Sequence, residues 1–226
     1  HIAILTNLFE EHLDYYKDLA EYYHAKFNIF SHQKKDDIFI LNLQEPRDYI
    51  KPTLIKTEHY YNVHASALKN EVAFDIKHGY IHKATLQILE KLVEILKIDK
   101  VVYLKTITEF KTLPHRLEYV AEIDGVSFIN DSISTIPEAT MEAVKILKEV
   151  DTVIIGGNDR GVHYDALVDF LLCSGVENII LFSNTGKQIY EKLQKQKSPK
   201  NIFYMKNLRE SVEKAYKNAQ SIVLFS

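Results

Sequence analysis

Glycine is scarce in this chain. Seven occur in 226 residues, and nowhere do they form the G-x-x-x-x-G-K-[ST] loop whose backbone amides cradle a triphosphate. No G-x-G-x-x-G turn is present either, so a Rossmann-like fold would not by itself argue for a dinucleotide. The single cysteine, Cys173, excludes an internal disulfide. Set in the apolar run Leu171-Leu172-Cys173, it is expected to be a buried thiol in a reducing compartment. Excess positive charge is missing too. Twenty-eight Lys and Arg against 31 Asp and Glu give a net charge of −3 and a pI near 6.4, no electrostatic footprint for nucleic acid. No run approaches the roughly 20 apolar residues that span a bilayer, and no signal-peptide pattern opens the chain. The expectation is a cytoplasmic protein with no membrane partner.

What is there describes an ordinary globular composition, 46% hydrophobic and 26% charged, long enough for one large domain or two modest ones. The chain opens without Met on His1-Ile-Ala-Ile-Leu-Thr6 and ends on Ser221-Ile-Val-Leu-Phe-Ser226. Both stretches read as core strands, and the expectation is a piece of a larger protein.

After a first strand at Ile2 to Thr6 comes the polar cluster Asn7 to Asp14, at a strand's carboxyl end, where open α/β sheets take ligands. Leu19, Tyr22, Tyr23, Phe27 and Phe30 recur at helical spacing and predict a helix from about Asp14, its N-cap, to Phe30. His12 reads as a loop histidine and Lys26 as a solvated helix lysine. A second strand is expected at Asp37 to Asn42, then an irregular stretch to Asn70. Its His59, Tyr60, Tyr61 and His64 lack metal-ligand spacing and read as surface. A strand at Glu71 to Ile76 and a helix from His82 to Lys97 follow. Lys100 to Leu104 is either a short strand or a last turn. A boundary near Glu109 to Thr112 divides 1–110 from 111–226. Beyond it, strands and helices alternate to Phe225, which predicts βαβ units and a mostly parallel sheet in a Rossmann-like domain.

The richest stretch runs from Leu113 to Pro137. Tyr119 to Ile123 and Val126 to Ile129 flank Asp124-Gly125, a strong hairpin signal. His115-Arg116 precedes the hairpin; Asn130-Asp131-Ser132 and Ser134-Thr135-Ile136-Pro137-Glu138 follow it. The latter predicts a helix opened by a hydroxyl cap, an early proline and an acid. A helix N-terminus beside an arginine fork favours an anion. Each residue also has a plainer role: Arg116 as an ion-pair partner of Glu118, Asp131 as a turn cap and Thr135 as a helix cap. Gly156-Gly157, in a strand-to-loop turn, is explained by close packing, but Arg160 on the same loop is not. Ser183-Asn-Thr-Gly186 reads as a helix start.

Leu113-Pro-His-Arg, with Ile129-Asn-Asp-Ser and Ser134-Thr-Ile-Pro-Glu-Ala-Thr140, resembles the start of the C-terminal domain of the ATP-dependent muramyl ligases of peptidoglycan synthesis. Within that family it is most similar to the members that add D-glutamate. The resemblance implies a fold: the remainder of a central ATPase-type α/β domain, then a Rossmann-like domain. It implies His12 as a magnesium ligand and Lys26 as a carbamylated lysine, an extra carboxylate-like donor for a hard metal. It places Arg116 on the nucleotide phosphates, Asp131 on the ribose, His82 near adenine, and Thr135 and Arg160 on the incoming amino acid. Glu11, His82 and Ile133 depart from the family pattern.

The implied reaction uses ATP and Mg²⁺ to phosphorylate the carboxylate of UDP-N-acetylmuramoyl-L-alanine. The amine of D-glutamate then attacks the acyl phosphate. A monomer is expected, and without the phosphate loop these 226 residues are expected to be inactive alone. Two alternatives stay open: a ligase of the same superfamily adding another amino acid, such as a folylpolyglutamate synthase, or a degenerate non-catalytic pair of nucleotide-binding domains.

Overall fold

The computed structural model describes residues 1–9, 15–44, 46–64, 66–68, 81–159 and 161–226. The described residues fall into two compact units, one ending at Phe110 and the other running from Lys111 to Ser226.

The first unit holds β1 (Ile2–Leu5), α1 (Leu19–Ser31), β2 (Ile38–Leu41), the short α2 (Pro46–Tyr49), β3 (His59–Asn62), α3 (Lys83–Leu96) and α4 (Lys100–Thr108). Its three strands form a parallel sheet in the order β1-β2-β3. Helix α1 begins at a reciprocal cap: Asp18 accepts from the Glu21 amide at 2.9 Å and Glu21 accepts from the Lys17 amide at 2.8 Å. That cap, rather than Asp14, sets the helix start; Asp14 lies outside the described residues. The buried face of α1 carries Tyr22, Tyr23, Phe27 and Phe30, and Phe30 stacks on Phe39 of β2 at 4.5 Å.

Two expectations need correction in this unit. Lys100 to Leu104 is neither strand nor last turn but the start of α4, because the Asp99 carboxylate caps the amides of Val101 and Val102. His59–Asn62, read as irregular, is a strand. Its four residues are mostly exposed and show no alternation, so β2's backbone rather than the hydrophobic pattern holds them. The strand expected at residues 71–76 lies outside the described residues.

The second unit holds β4 (Glu118–Ile123), β5 (Val126–Asn130), α5 (Pro137–Leu147), β6 (Val150–Gly156), α6 (Asp165–Cys173), β7 (Asn178–Phe182), α7 (Ser183–Gln194), β8 (Asn201–Met205), α8 (Leu208–Asn218) and β9 (Ile222–Phe225). The sheet order is β4-β5-β9-β6-β7-β8, antiparallel only between β4 and β5. Asp124 (φ 51°) and Gly125 (φ 80°) make the left-handed turn that a tight hairpin needs.

Alternation along the strands splits the core in two. Ile129, Val153, Ile155, Ile179, Leu181 and Leu224 face one layer with α5, α6 and α7. Ile154, Ile180 and Val223 face the other with Ala215 of α8. Right-handed crossovers explain the split. The connections through α6 and α7 step one way along the sheet, while α8 returns the other way to place β9 between β5 and β6, and so must cross the opposite face. Each fully buried Ile or Leu contributes roughly 1.5–3 kcal/mol. Cys173 corrects another expectation: it ends α6 on the exposed side of that helix and is a free, exposed thiol. Among the described residues no helix is long and apolar enough to cross a membrane.

Candidate functional site

A polar cleft opens in the second unit at the carboxyl ends of β6 and β9. It encloses about 170 Å³, and its wall includes Ser134, Thr135, Gly156, Gly157, Thr185 and Ser226. That is room for an amino-acid-sized group rather than the roughly 300–1,000 Å³ of a drug-sized pocket. The glycine pair makes the cleft possible. A Cβ on Gly156 would stand 2.4 Å from the Phe182 ring and 2.6 Å from its carbonyl oxygen, and Gly157 holds φ at +137°. The Gly157 carbonyl then accepts the Thr185 amide at 3.2 Å, setting the start of α7 against the end of β6.

Two helices, α5 and α7, begin at this cleft, and neither has a side-chain cap. The expected hydroxyl cap on α5 is therefore corrected: Ile136 is its N-cap, and the Ser134 hydroxyl turns back to donate to Asp131 instead. The dipoles of both first turns favour an anion. Thr140 and Ser226 hydrogen-bond to each other at 2.6 Å in the wall. Thr185, 6% exposed, buries its hydroxyl oxygen with no partner among the described residues. Sequence reading took Thr185 for part of a simple helix start and missed Ser226. Their shared wall is set by tertiary packing, and no local signal carries it.

Beside the cleft, Asp131 organises the turn that carries Arg116. It is 4% exposed; Oδ1 accepts the Leu117 amide at 2.9 Å and Oδ2 accepts the Ser134 hydroxyl. Burial pushes its carboxyl above the ordinary carboxylate value, against the pull of the Ser134 and Leu117 hydrogen bonds and the Arg116 charge. His115 (φ 66°) and Leu117 (φ 44°) occupy the left-handed region, costly backbone that the surrounding bonds hold in place. The His115 amide donates to Glu118 at 2.7 Å, and Asn130 Nδ2 lies 2.8 Å from His115 Nδ1. Arg116 is exposed, and among the described residues no ion pair joins it to Glu118.

Of the expected site residues, Arg116 on the loop before β4 and Asp131 and Thr135 on the loop after β5 thus gather at one end of the β4–β5 hairpin. In the first unit, Lys26 lies on α1 with Nζ 4.7 Å from the centre of the Tyr22 ring, and His82 is the N-cap of α3 without a side-chain capping bond. His12 and Arg160 lie outside the described residues. Among the described residues no three His, Cys, Asp or Glu side chains are grouped to hold a metal, and Lys26 as a free amine is no ligand for Mg²⁺. The described residues therefore do not by themselves form a metal site.

A mostly parallel α/β unit with helices on both faces and a polar cleft at its strand ends is of the doubly wound class. The model of the Mur ligase middle domain matches residues 1–101 and that of the Mur ligase glutamate ligase domain matches residues 115–226; the chain belongs to the Mur ligase family. It is 30% identical over 243 residues to a UDP-N-acetylmuramoylalanine--D-glutamate ligase of Thermoanaerobacter sp. (strain X514), spanning 97% of this chain and 53% of the relative. It is 32% identical over 251 residues to the enzyme of that name from Geobacillus sp. (strain WCH70), spanning 100% of this chain and 54% of the relative. The chain thus spans about half the length of these curated relatives. The MurF ligase of Thermotoga maritima in complex with ADP shares the fold at a TM-score of 0.72 and 17% identity, over 99% of this chain and 57% of that one. A bifunctional folylpolyglutamate synthase/dihydrofolate synthase of Yersinia pestis, complexed with AMPPNP and Mn, shares it at 0.67 and 12%, over 99% and 58%.

Proposed function

We propose that the protein is an ATP-dependent ligase that joins D-glutamate to UDP-N-acetylmuramoyl-L-alanine through an acyl phosphate. The observation that carries this reading is the match along 97–100% of the chain, at about 30% identity, to relatives of that name. A carboxylate is a poor electrophile, so a phosphate leaving group is required. Groups that stabilise the charge on the transferring oxygens then lower the barrier. Arg116 serves the nucleotide phosphates and His82 the base. Asp131 serves the ribose, whose hydroxyl would replace that of Ser134 on Oδ2. Thr135 and Arg160 take the incoming amino acid, for which the cleft beside Thr135 has room. His12 and a carbamylated Lys26 serve the divalent cation, Mg²⁺ in this proposal, which would offset charge on the phosphates. The 226 residues hold no phosphate loop and are inactive on their own in this reading.

The test is ADP release by the full-length gene product with UDP-N-acetylmuramoyl-L-alanine and one amino acid at a time. Release with D-glutamate, and not with L-glutamate, D-aspartate or L-lysine, is the expected result. Release with another of them assigns a sister ligase. Release with none overturns the enzyme reading in favour of a non-catalytic nucleotide-binding pair.

A further inference from the structure

The first unit contains a buried amide pair whose hydrogen bonds fix the tautomer of an exposed ring. Gln87 Nε2 lies 2.9 Å from the carbonyl oxygen of His64 and 2.7 Å from that of Ser66. Carbonyls only accept, so this end of Gln87 is its amino group and Oε1 is an acceptor. Oε1 faces Asn42 Nδ2 at 3.1 Å, and the same Nδ2 lies 3.1 Å from the carbonyl of Ala84. Both protons of Asn42 are thereby used, which leaves Oδ1 as an acceptor, 3.1 Å from His64 Nδ1. Nδ1 must therefore carry a proton. In the neutral ring the lone pair is then on Nε2.

The ring is held on its backbone side as well. The His64 amide donates to Asn62 Oδ1 at 3.2 Å, and Asn62 Nδ2 donates to the Leu43 carbonyl at 2.9 Å. Asn42 and Gln87 are only 4% and 5% exposed, whereas His64 is exposed and its Nε2 has no hydrogen-bond partner among the described residues. Two buried, fully satisfied amides thus hold a solvent-facing histidine in one tautomer, an expensive arrangement for a residue with no task. Asn42 follows β2 and His64 follows β3, so the ring stands at the carboxyl ends of neighbouring parallel strands. Through Asn42 it is tied to Ala84 in the first turn of α3, the helix whose N-cap is His82.

We propose that His64 Nε2 accepts a hydrogen bond from the exocyclic amino group of an aminopurine nucleotide, with Asn42 and Gln87 as positioning residues that fix the tautomer. This rests on the nucleotide-binding part of the ligase reading and adds to it, beside His82, a residue that selects for the amino group of the base. An acceptor held rigidly can select for a donor on the ligand, because an analogue lacking that donor leaves the lone pair unpaired.

The experiment titrates the full-length gene product with ATP and with purine riboside 5′-triphosphate, which lacks the 6-amino group, for the wild type and His64→Ala, and records the ring ¹⁵N shifts of His64. The expected wild-type preference for ATP is on the order of tenfold, falling below about twofold in His64→Ala. The spectrum is expected to show the Nδ1–H tautomer, with the Nε2 signal moving on addition of ATP but not of the analogue. An Nε2–H tautomer, or a preference for ATP that survives His64→Ala, overturns the inference. Equal binding of both triphosphates by the wild type overturns the role of His64 alone and leaves the ligase reading standing. Binding of neither overturns both.

Discussion

Replacing Asp131 separates its two physical effects, hydrogen bonding and buried charge. Asp131→Ala removes the acceptor of the buried Leu117 amide, and an orphaned buried donor costs about 1–3 kcal/mol. Asp131→Asn keeps an oxygen for that amide and offers an amino group to the Ser134 hydroxyl, so it retains the turn. It also removes a charge that burial disfavours. The folded-state pKa of Asp131 is raised, so its contribution to stability is fully present below the unfolded value, about 3.9, and is lost as pH rises through the folded value. Relative to the wild type, Asp131→Asn is therefore most favourable at pH 7 and loses that advantage as pH falls toward 4. Asp37 and Asp165 shift the other way. Their carboxyls are lowered by the Lys34 amide and by Lys192 respectively, so their contributions are present above the unfolded value and lost as pH falls. The total pH profile mixes both signs, and the difference between variant and wild type isolates Asp131. Urea unfolding at pH 7, 5.5 and 4 measures it. A stability difference for Asp131→Asn that stays constant across these pH values refutes the burial argument. An Asp131→Ala variant within about 0.5 kcal/mol of Asp131→Asn at pH 7 refutes the hydrogen-bond argument.

Gly156→Ala forces a methyl onto the Phe182 backbone carbonyl and should destabilise the chain by roughly 1–3 kcal/mol or more, read by urea midpoint; a change below about 0.5 kcal/mol would mean that the glycine turn yields easily. Thr185→Val removes a buried hydroxyl without a partner among the described residues. It should leave ligand-free stability unchanged or raise it by up to about 1 kcal/mol, and a loss of that size would show that the hydroxyl is satisfied.

Much of the second unit was legible because its strands are continuous apolar runs and its hairpin carries Asp124-Gly125. The first unit was harder to read. Val101 and Val102 are β-branched and exposed while Tyr103 and Ile107 are buried, so α4 lacks one clear apolar stripe and its Asp99 cap decides the matter. At the site, Arg116, Asp131 and Thr135 stood out through their motif, yet nothing local shows that Asp131 is buried or that Ser134 points back to it. His64 was read as surface, which is true of its exposure. Its partners Asn42 and Gln87 lie 22 and 23 residues away, and only the fold brings them together.

The position of the cleft follows from how the strands end. Ile129 gives way to Asn130, Ile155 to Gly156, Phe182 to Ser183 and Phe225 to Ser226, so each buried or packed apolar run ends in a small or polar residue at its carboxyl end. Bulky side chains there would fill the space between α5 and α7; Gly156 shows how little room exists, since even a methyl meets Phe182. At Ser226 the small hydroxyl still reaches Thr140, 86 residues earlier in the chain, and closes the wall without occupying the opening. The apolar runs that build the sheet therefore also determine, by where they stop, which end of it stays open to an anion.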